Sequence, residues 1–291
     1  MKSTRRSIQS AFGFSIVEMI AVVAIIAILI GLLVPALSQV QKMAATVSQK
    51  AQFSSISMGL EGFREDMGDY PDSRVTSSID YQGAQKLAEA MIGMDGFGFH
   101  PNSRFRSDGT DAYGEPLYRP FIDLPYIHPT YPDWTLEKNI ASRKGPYLEL
   151  DTANAVKLKS IYPSGTDPLL GDTFILADKF KTVKNIVTGK KTGMPILYYK
   201  ADTIKTGHSV PALAKNRSTY SYRDNEAYIT LSPPFDSSSA HDMTAAIFYA
   251  ETANPNFTER PHNSESFILL SAGPDGFYGT ADDVYNFEKD K

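Results

Sequence analysis

The chain has 291 residues, of which 42% are hydrophobic, and its 29 Lys+Arg and 33 Asp+Glu give a formal net charge of −4. This apolar content suffices for a buried core and excludes wholesale disorder. A near-neutral balance without a dense Lys/Arg run argues against nucleic acid as the main partner. Because there is no cysteine, disulfides, thiolate metal sites and cysteine nucleophiles are excluded, and any metal must be held by oxygen or histidine.

The apolar residues are concentrated near the N-terminus. Met19 to Leu37 contains no charged residue, although the mean hydropathy of the chain is only −0.25. As a helix this run covers about 28 Å, close to the hydrocarbon thickness of a bilayer. Lys2, Arg5 and Arg6 precede it, which places the N-terminus in the cytoplasm and the rest of the chain outside. The sequence therefore predicts one membrane-spanning helix, retained because no small-residue cleavage site follows it; a plain uncleaved signal anchor is the alternative.

A carboxylate, Glu18, lies at the edge of this run in the string G-F-S-I-V-E. A charge inside a span costs about 2.5–3.5 kcal/mol, so it is expected to have a partner and a purpose. The string resembles the prepilin-peptidase site of type IV pilins and type II secretion pseudopilins. The resemblance implies cleavage after Gly13 and N-methylation of Phe14. Glu18 and Pro35 then fall at the fifth and twenty-second mature positions, which match the family.

The chemistry of these residues suggests how subunits would assemble. Cleavage after Gly13 creates a cationic amine at Phe14, which Glu18 of a neighbouring copy neutralises only when the subunits stack with an axial offset. Glu18 is thus interpreted as the residue that sets the register between subunits; a carboxylate that merely snorkels at the membrane edge is the alternative. Pro35 is expected to break or kink the long helix.

Beyond Leu37, helical apolar spacing without proline predicts that the helix continues to between Asp66 and Gly68, with its outer part packed on a globular head. A second helix is predicted from Gln82 to Met94. Residues 96–145 hold many prolines and aromatics, which indicates an ordered, loop-rich insertion with rings in the core and loops, or else a carbohydrate- or peptide-binding surface. This region includes Phe97, Phe99, Phe105, Tyr113, Tyr118, Phe121, Tyr126, Tyr131 and Trp134.

Three strands are predicted in the remainder of the chain. Thr173–Ala177 and Pro195–Lys200 are interpreted as a hairpin with its turn at 188–193, and Ser266–Ala272 as a further buried strand. Together they predict a small antiparallel sheet against the long helix. The apolar segment Ala245–Tyr249 fits either helix or strand. The string around Gly193-Met194-Pro195 resembles the glycine-x-proline strand of major pseudopilin heads.

The C-terminal string G-P-D-G-F-Y-G-T-A-D-D brings Asp275, Asp282 and Asp283 into one glycine-rich loop. Calcium takes six to eight oxygen ligands on flexible loops, but spacing alone leaves calcium and a solvated acidic turn equally open, and it departs from the EF-hand pattern. The loop resembles the calcium loop of the G-type major pseudopilin. That resemblance implies calcium as a cofactor, with the carbonyls of Ala272 and Thr280 as further ligands.

No catalytic motif stands out in the sequence. The five histidines are scattered, and H-E-x-x-H, G-x-S-x-G and G-x-x-x-x-G-K-S/T strings do not occur. We therefore expect a structural protein that is not an enzyme, with a membrane-anchored hydrolase as the minor alternative.

Taken together, the residues and the resemblance predict an α+β, pilin-like fold. The expected parts are a prepilin leader (1–13), the transmembrane part of the helix (14–37), its outer half (38–68), and a periplasmic head (69–291) that contains the calcium loop (272–286). The resemblance covers 1–72, 193–200 and 266–288 and leaves the middle unmatched.

The resemblance implies a single-pass protein of the bacterial inner membrane, closest to the G-type major pseudopilin. Its function would be that of a structural subunit in a type II secretion pseudopilus, a filament that helps to move folded proteins across the outer membrane. The implied partners are prepilin peptidase, copies of itself and other pilin-like subunits, the inner-membrane assembly platform and membrane lipid. A type IV pilus subunit or a minor pilin for adhesion, motility or DNA uptake is the alternative.

Overall fold

The computed structural model describes residues 15–75, 81–114, 116–118, 136–162, 172–205, 207–209, 218–257 and 260–288. The chain divides into two compact units, one up to Ala44 and the other from Ala45 onwards, called the head unit. The fold is α+β, with a long N-terminal apolar helix and small antiparallel sheets, as the sequence predicts.

The first helix, α1 (Ile16–Met67), is continuous over 52 residues. It begins with reciprocal capping contacts, in which Val17 N donates to Ser15 Oγ (3.4 Å) and Ser15 N donates to a carboxylate oxygen of Glu18 (2.8 Å). It ends at Gly68, whose φ of +87° is the left-handed conformation that glycine adopts readily. The predicted end between Asp66 and Gly68 is therefore confirmed; the predicted start at Phe14 lies outside the described residues.

The N-terminal half of α1 (16–44) presents apolar side chains on all sides, and they are exposed. Ile16, Val23 and Leu33 are 78%, 62% and 65% exposed. In the described part of the chain, α1 is the one helix that is long and apolar enough to cross a membrane. This agrees with the predicted span at the level of length and composition.

The C-terminal half of α1 (45–67) belongs to the head unit and has one buried face. Phe53, Ile56, Leu60 and Phe63 are at most 3% exposed and follow the three- and four-residue spacing of a helix face. They pack in one core cluster with residues of α2 (Gly83–Ile92), which confirms the second predicted helix. The apolar periodicity of this half thus positions it against the head.

The remaining described elements are short. The helices are α3 (Leu136–Ala141), α4 (Leu150–Ala153), α5 (Glu226–Thr230) and α6 (Ala245–Thr252), and the strands are β1 (Ala155–Lys157), β2 (Phe174–Leu176), β3 (Val183–Lys184), β4 (Lys191–Thr192), β5 (Leu197–Lys200), β6 (Phe267–Ser271) and β7 (Val284–Tyr285). In the part of the chain that the structure describes, 3₁₀ turns lie at Pro101–Ser103, Leu158–Ser160 and Tyr222–Asn225. The apolar segment that the sequence left open is thus helical, in α6.

The seven strands named above all pair in antiparallel fashion within the described residues. β1 pairs with β2, β3 pairs with β4, and β5, β6 and β7 form a three-stranded sheet in that order. All five residues of β6 are buried, because it is the central strand of that sheet. The predicted strand Ser266–Ala272 is thereby confirmed.

The predicted hairpin between Thr173–Ala177 and Pro195–Lys200 is wrong. Both runs contain strands, but β2 pairs with β1 and β5 pairs with β6, and the two runs share a single bridge, Ala177 to Pro195. The turn at 188–193 instead belongs to the short β3–β4 hairpin. Both runs are buried and apolar, so the local sequence identifies them as strands without specifying which neighbour each will pair with.

The loop-rich insertion partly packs into the core. The Phe99 ring lies 5.1 Å from Phe63 and 5.0 Å from Phe105, measured between centroids. Phe97 and Tyr113, by contrast, are 56% and 83% exposed. The predicted ring packing is therefore confirmed for Phe99 and Phe105, while Phe121, Tyr126, Tyr131 and Trp134 lie outside the described residues.

Candidate functional sites

The predicted processing and assembly residues lie at the start of α1. Gly13 and Phe14 fall outside the described residues, whereas Glu18 lies in the first turn and accepts the backbone hydrogen bond of Ser15. This contact satisfies a donor that the helix itself leaves free and places a negative charge at the positive end of the helix dipole. Glu18 therefore has a capping role within its own chain, which sequence reasoning missed although S-x-x-E is a capping-box pattern.

Pro35 does not break α1, because the helix continues through it to Met67. A proline in a helix interior removes one main-chain hydrogen bond, here the one to the carbonyl of Gly31, and a helix of this length keeps the rest. Of the two predicted effects of Pro35, a break in the helix is not observed, and a kink stays a prediction.

The C-terminal loop is held by its glycines and by contacts to the rest of the head unit. Gly273 has a φ of +67°, and a Cβ there would lie 2.3 Å from the carbonyl oxygen of Asp282, so a side chain would push the two arms of the loop apart. Tyr278 N donates to His241 Nδ1 (3.1 Å), and Met243 N donates to Tyr278 O (2.9 Å). These contacts fix the loop on the segment before α6.

Two of the three predicted carboxylates face each other across this loop. Asp275 N donates to a carboxylate oxygen of Asp282 (3.2 Å), and the other oxygen of Asp282 accepts from Thr280 Oγ1 (2.5 Å). Asp283 turns elsewhere, because its carboxylate accepts from Gly279 N (2.8 Å). The loop thus gathers Asp275, Thr280 and Asp282, with Asp283 bracing its far side.

The electrostatics of the loop favour a positive charge. Burial, and after it the negative charge of Asp282, raise the pKa of Asp275 above its ordinary value. Of the predicted carbonyl ligands, Ala272 is fully buried, and Thr280 O accepts from Asp283 N (3.3 Å). The donor set consists of oxygen atoms, which suits a hard cation such as calcium.

Within the described ranges, no group of three or more His, Asp or Glu side chains is arranged to hold a metal ion. Calcium on this loop would therefore draw on carbonyl, hydroxyl or water oxygens beside Asp275 and Asp282. Sequence spacing correctly brings these two carboxylates together. Spacing could not show that the Asp283 carboxylate instead accepts a hydrogen bond from Gly279 N.

A serine–histidine pair in the insertion bears on the hydrolase alternative. His100 Nε2 lies 3.2 Å from Ser142 Oγ, while His100 Nδ1 accepts from Asn102 N (3.2 Å). An imidazole whose Nδ1 accepts carries its proton on Nε2, so Ser142 receives a hydrogen bond from the ring. A general base requires the reverse arrangement, and burial also lowers the pKa of His100 to about 4.

Three carboxyls that sequence reasoning missed are buried in the head unit. Glu89, Asp178 and Asp224 each accept a hydrogen bond from a serine hydroxyl, and burial raises their pKa values to about 7, 7 and 6. They lie far apart in sequence and serve internal packing. No signal in the sequence separates them from the many exposed acids.

Comparison with known proteins yields no match to a protein-family model, a curated protein or a solved structure.

Proposed function

We propose that this chain is a structural subunit of a type II secretion pseudopilus, cut by prepilin peptidase after Gly13 and assembled into a helical filament that helps to move folded proteins across the outer membrane. The observation that carries the proposal is the N-terminal half of α1, an exposed apolar helix with a single carboxylate, Glu18, in its first turn. The leader sequence G-F-S-I-V-E and the position of Pro35 support it.

The exposed apolar half of α1 suits two environments in turn. A helix that is apolar on every side is stable in a bilayer or in contact with other apolar helices, and it is unstable in water. A subunit that is first anchored in the inner membrane and then assembled into a filament core would occupy both environments, the bilayer first and the contact with other apolar helices second. The head unit would lie in the periplasm, with the assembly platform, prepilin peptidase, other pilin-like subunits and lipid as partners.

Two roles of Glu18, the helix cap within its own chain and the proposed charge pair between subunits, can be separated experimentally. Glu18→Gln keeps an acceptor for Ser15 N but removes the charge, whereas Ser15→Ala removes the hydroxyl cap and keeps the charge. We expect filament yield in a shear assay to collapse for Glu18→Gln and to stay near wild type for Ser15→Ala. Equal loss in both variants would mean that capping, and not a charge pair between subunits, is what assembly requires.

Processing is tested on the same material. Mass spectrometry of the membrane-extracted chain should find an N-terminus at Phe14 carrying one methyl group. Either an intact Met1 terminus or cleavage beyond Leu37 would contradict the pilin proposal; the intact terminus would leave the membrane span in place, whereas cleavage beyond Leu37 would remove it.

The C-terminal loop is proposed to bind calcium through Asp275 and Asp282, with Asp283, Ala272 and Thr280 close by. Two facing carboxylates repel each other, and a cation between them would remove that repulsion. Binding only to the folded loop would stabilise the head unit by mass action.

For the full chain in detergent, millimolar calcium should raise the melting temperature and magnesium should raise it much less. Asp282→Asn should abolish the calcium effect, while the exposed control Asp151→Asn should retain it. If wild type melts at the same temperature in chelator and in millimolar calcium, the loop is an acidic turn.

A minor pilin with a binding surface is the second candidate function. The exposed Phe97 and Tyr113 side chains favour it, because both lie in an insertion that a minimal stalk and head do not need. Filaments in which the chain is present at one copy per tip, as judged by quantitative mass spectrometry, would favour this candidate over the main subunit.

A further inference from the structure

The β3–β4 hairpin concentrates positive charge on a chain that is acidic overall. Residues 179–191 contain five lysines and no acidic residue. These are Lys179, Lys181, Lys184, Lys190 and Lys191, and together with the turn between the strands they are called the lysine hairpin. The lysines are spread along the sequence, so the sequence alone shows no dense basic run. Formation of the hairpin brings them together.

The two strands place like charges opposite each other. Lys184 of β3 is the direct register partner of Lys191 of β4. Like charges at directly opposed positions destabilise a strand pair. In the described part of the chain no ion pair joins any of the five lysines to a carboxylate. Burial, and after it the charge of Lys181, lower the pKa of Lys179. An external anion would relieve this repulsion.

The turn of the hairpin is rigid and its tip is apolar. The buried Asn185 accepts through Oδ1 from Val187 N (3.0 Å) and Thr188 N (2.9 Å), and Gly189 N donates to Asn185 O (2.8 Å). Asn185 is also tied to Ser160, whose Oγ accepts from Nδ2 at 2.9 Å. Held in this way, Ile186 and Val187 remain 53% and 76% exposed.

We propose that the lysine hairpin docks on the surface of an anionic lipid bilayer, with Lys184, Lys190 and Lys191 at the lipid phosphates and the tip residues Ile186 and Val187 below them. A polybasic segment is attracted to anionic lipid, and apolar side chains gain by entering the boundary of the acyl chains. The proposal does not depend on the secretion function; it requires only a membrane-anchored chain.

A bilayer fits this surface better than an acidic protein does. An apolar tip with a lysine collar matches the layered chemistry of lipid, where phosphate lies above hydrocarbon. Within the head unit the segment contacts the C-terminal half of α1, where Lys179 N donates to Gln49 Oε1 (2.8 Å).

The test uses the full chain at one copy per lipid nanodisc. Because the chain has no cysteine, Val187→Cys gives a unique position for a fluorophore that nitroxide-bearing lipids quench. Ile204→Cys is the matched control, since Ile204 is also an exposed aliphatic residue, at 87%, and has Lys205 beside it. We expect quenching at 187 in discs that contain phosphatidylglycerol, and little quenching at 204 or in pure phosphatidylcholine.

Charge variants and salt then test whether the lysine charges cause the docking. Reversal of Lys184, Lys190 and Lys191 to Glu should abolish quenching, whereas the same charge change at the exposed or half-buried Arg104, Lys205 and Arg223 should preserve it. For single Lys→Ala variants the docked-to-undocked ratio should fall about fivefold per lysine. Molar salt should undock the unmodified hairpin, because it shortens the Debye length to about 3 Å. This experiment requires no substitution, so it tests the charge dependence on the wild-type chain.

Several outcomes would overturn the proposal. These are an unquenched label at 187 in anionic discs, equal quenching at 204, or quenching that ignores lipid charge. Quenching at 187 that appears only in discs with several copies, and not in discs with one copy, would show that the hairpin depends on contact with another copy of the chain and does not dock on lipid by itself.

Discussion

The two halves of α1 have similar helical backbones and opposite surroundings. In residues 16–44 the apolar side chains point in all directions and are exposed, whereas in 45–67 they are confined to one stripe that the head unit covers. The difference lies in the periodicity, since both halves are rich in apolar residues. An all-round apolar surface indicates a lipid or helical environment, and a stripe indicates a docked helix.

The largest expected effect comes from truncating one leucine in each half. Leu60→Ala should lower the free energy of unfolding of the head unit by about 2–5 kcal/mol, because Leu60 is fully buried and the substitution leaves a cavity. Leu33→Ala should leave it unchanged, because Leu33 is 65% exposed in the other unit. Hydrogen exchange of peptides from α2 and β6, measured on the full chain in detergent, reports the effect of each substitution on the stability of the head unit. A comparable loss with Leu33→Ala would contradict the separation of the two units.

The second prediction concerns a buried carboxyl beside the docked half. Gln52 of α1 donates to Ala177 O, and the next residue is Asp178, whose pKa burial raises from 3.8 to about 7. Between these pH values the folded head keeps a proton that the unfolded chain releases. Stability from Asp178 therefore falls as pH rises through this window, by at most about 1.4 kcal/mol per pH unit.

Asp178→Asn should remove this slope, so the stability of wild type minus that of the variant should decline between about pH 4 and pH 7 and level off above it. Burial lowers the pKa values of His100, His208 and His241 to about 4, which contributes the opposite slope, but this cancels in the difference. Glu18→Gln, in the other half of α1, should leave the curve of the head unit unchanged. A pH-independent difference for Asp178→Asn would contradict the raised pKa.

Sequence reasoning predicted what depends on local pattern. The long apolar helix, its end, helix α2 and strand β6 follow from the distribution of apolar residues and from the glycine stop. The approach of Asp275 to Asp282 follows from the resemblance and the glycine-rich loop. These features are decided within a few turns of chain, which is why they can be seen without the fold.

Features that depend on tertiary pairing could not be predicted. Gly193 illustrates this, because a Cβ there would lie 2.0 Å from a carboxylate oxygen of Asp178, so the fold needs a glycine where these two distant parts of the sequence approach each other. The lysine hairpin likewise required the register that sets Lys184 opposite Lys191. In both cases the sequence gives the residues, and only the fold gives their neighbours.

The smallest expected effect concerns a polar contact of the docked half. Gln52 is buried, and its Nε2 donates to Ala153 O and Ala177 O, each at 2.9 Å. Gln52→Met keeps the volume and removes both hydrogen bonds. Ala177 O still accepts from Asn154 Nδ2 (2.8 Å), and in the described residues Gln52 Oε1 has no hydrogen-bond donor, so the substitution also removes a buried, unsatisfied acceptor.

We therefore expect Gln52→Met to lower the free energy of unfolding of the head unit by only about 1 kcal/mol, the net value of a typical hydrogen bond. Gln41→Met, an exposed position in the other half of the same helix, should change it by less than about 0.5 kcal/mol. Denaturant titration of both variants measures the difference. A loss as large as that of Leu60→Ala would mean that polar contacts, and not the apolar stripe, hold α1 on the head; no loss at all would mean that the two carbonyls gain nothing from Gln52.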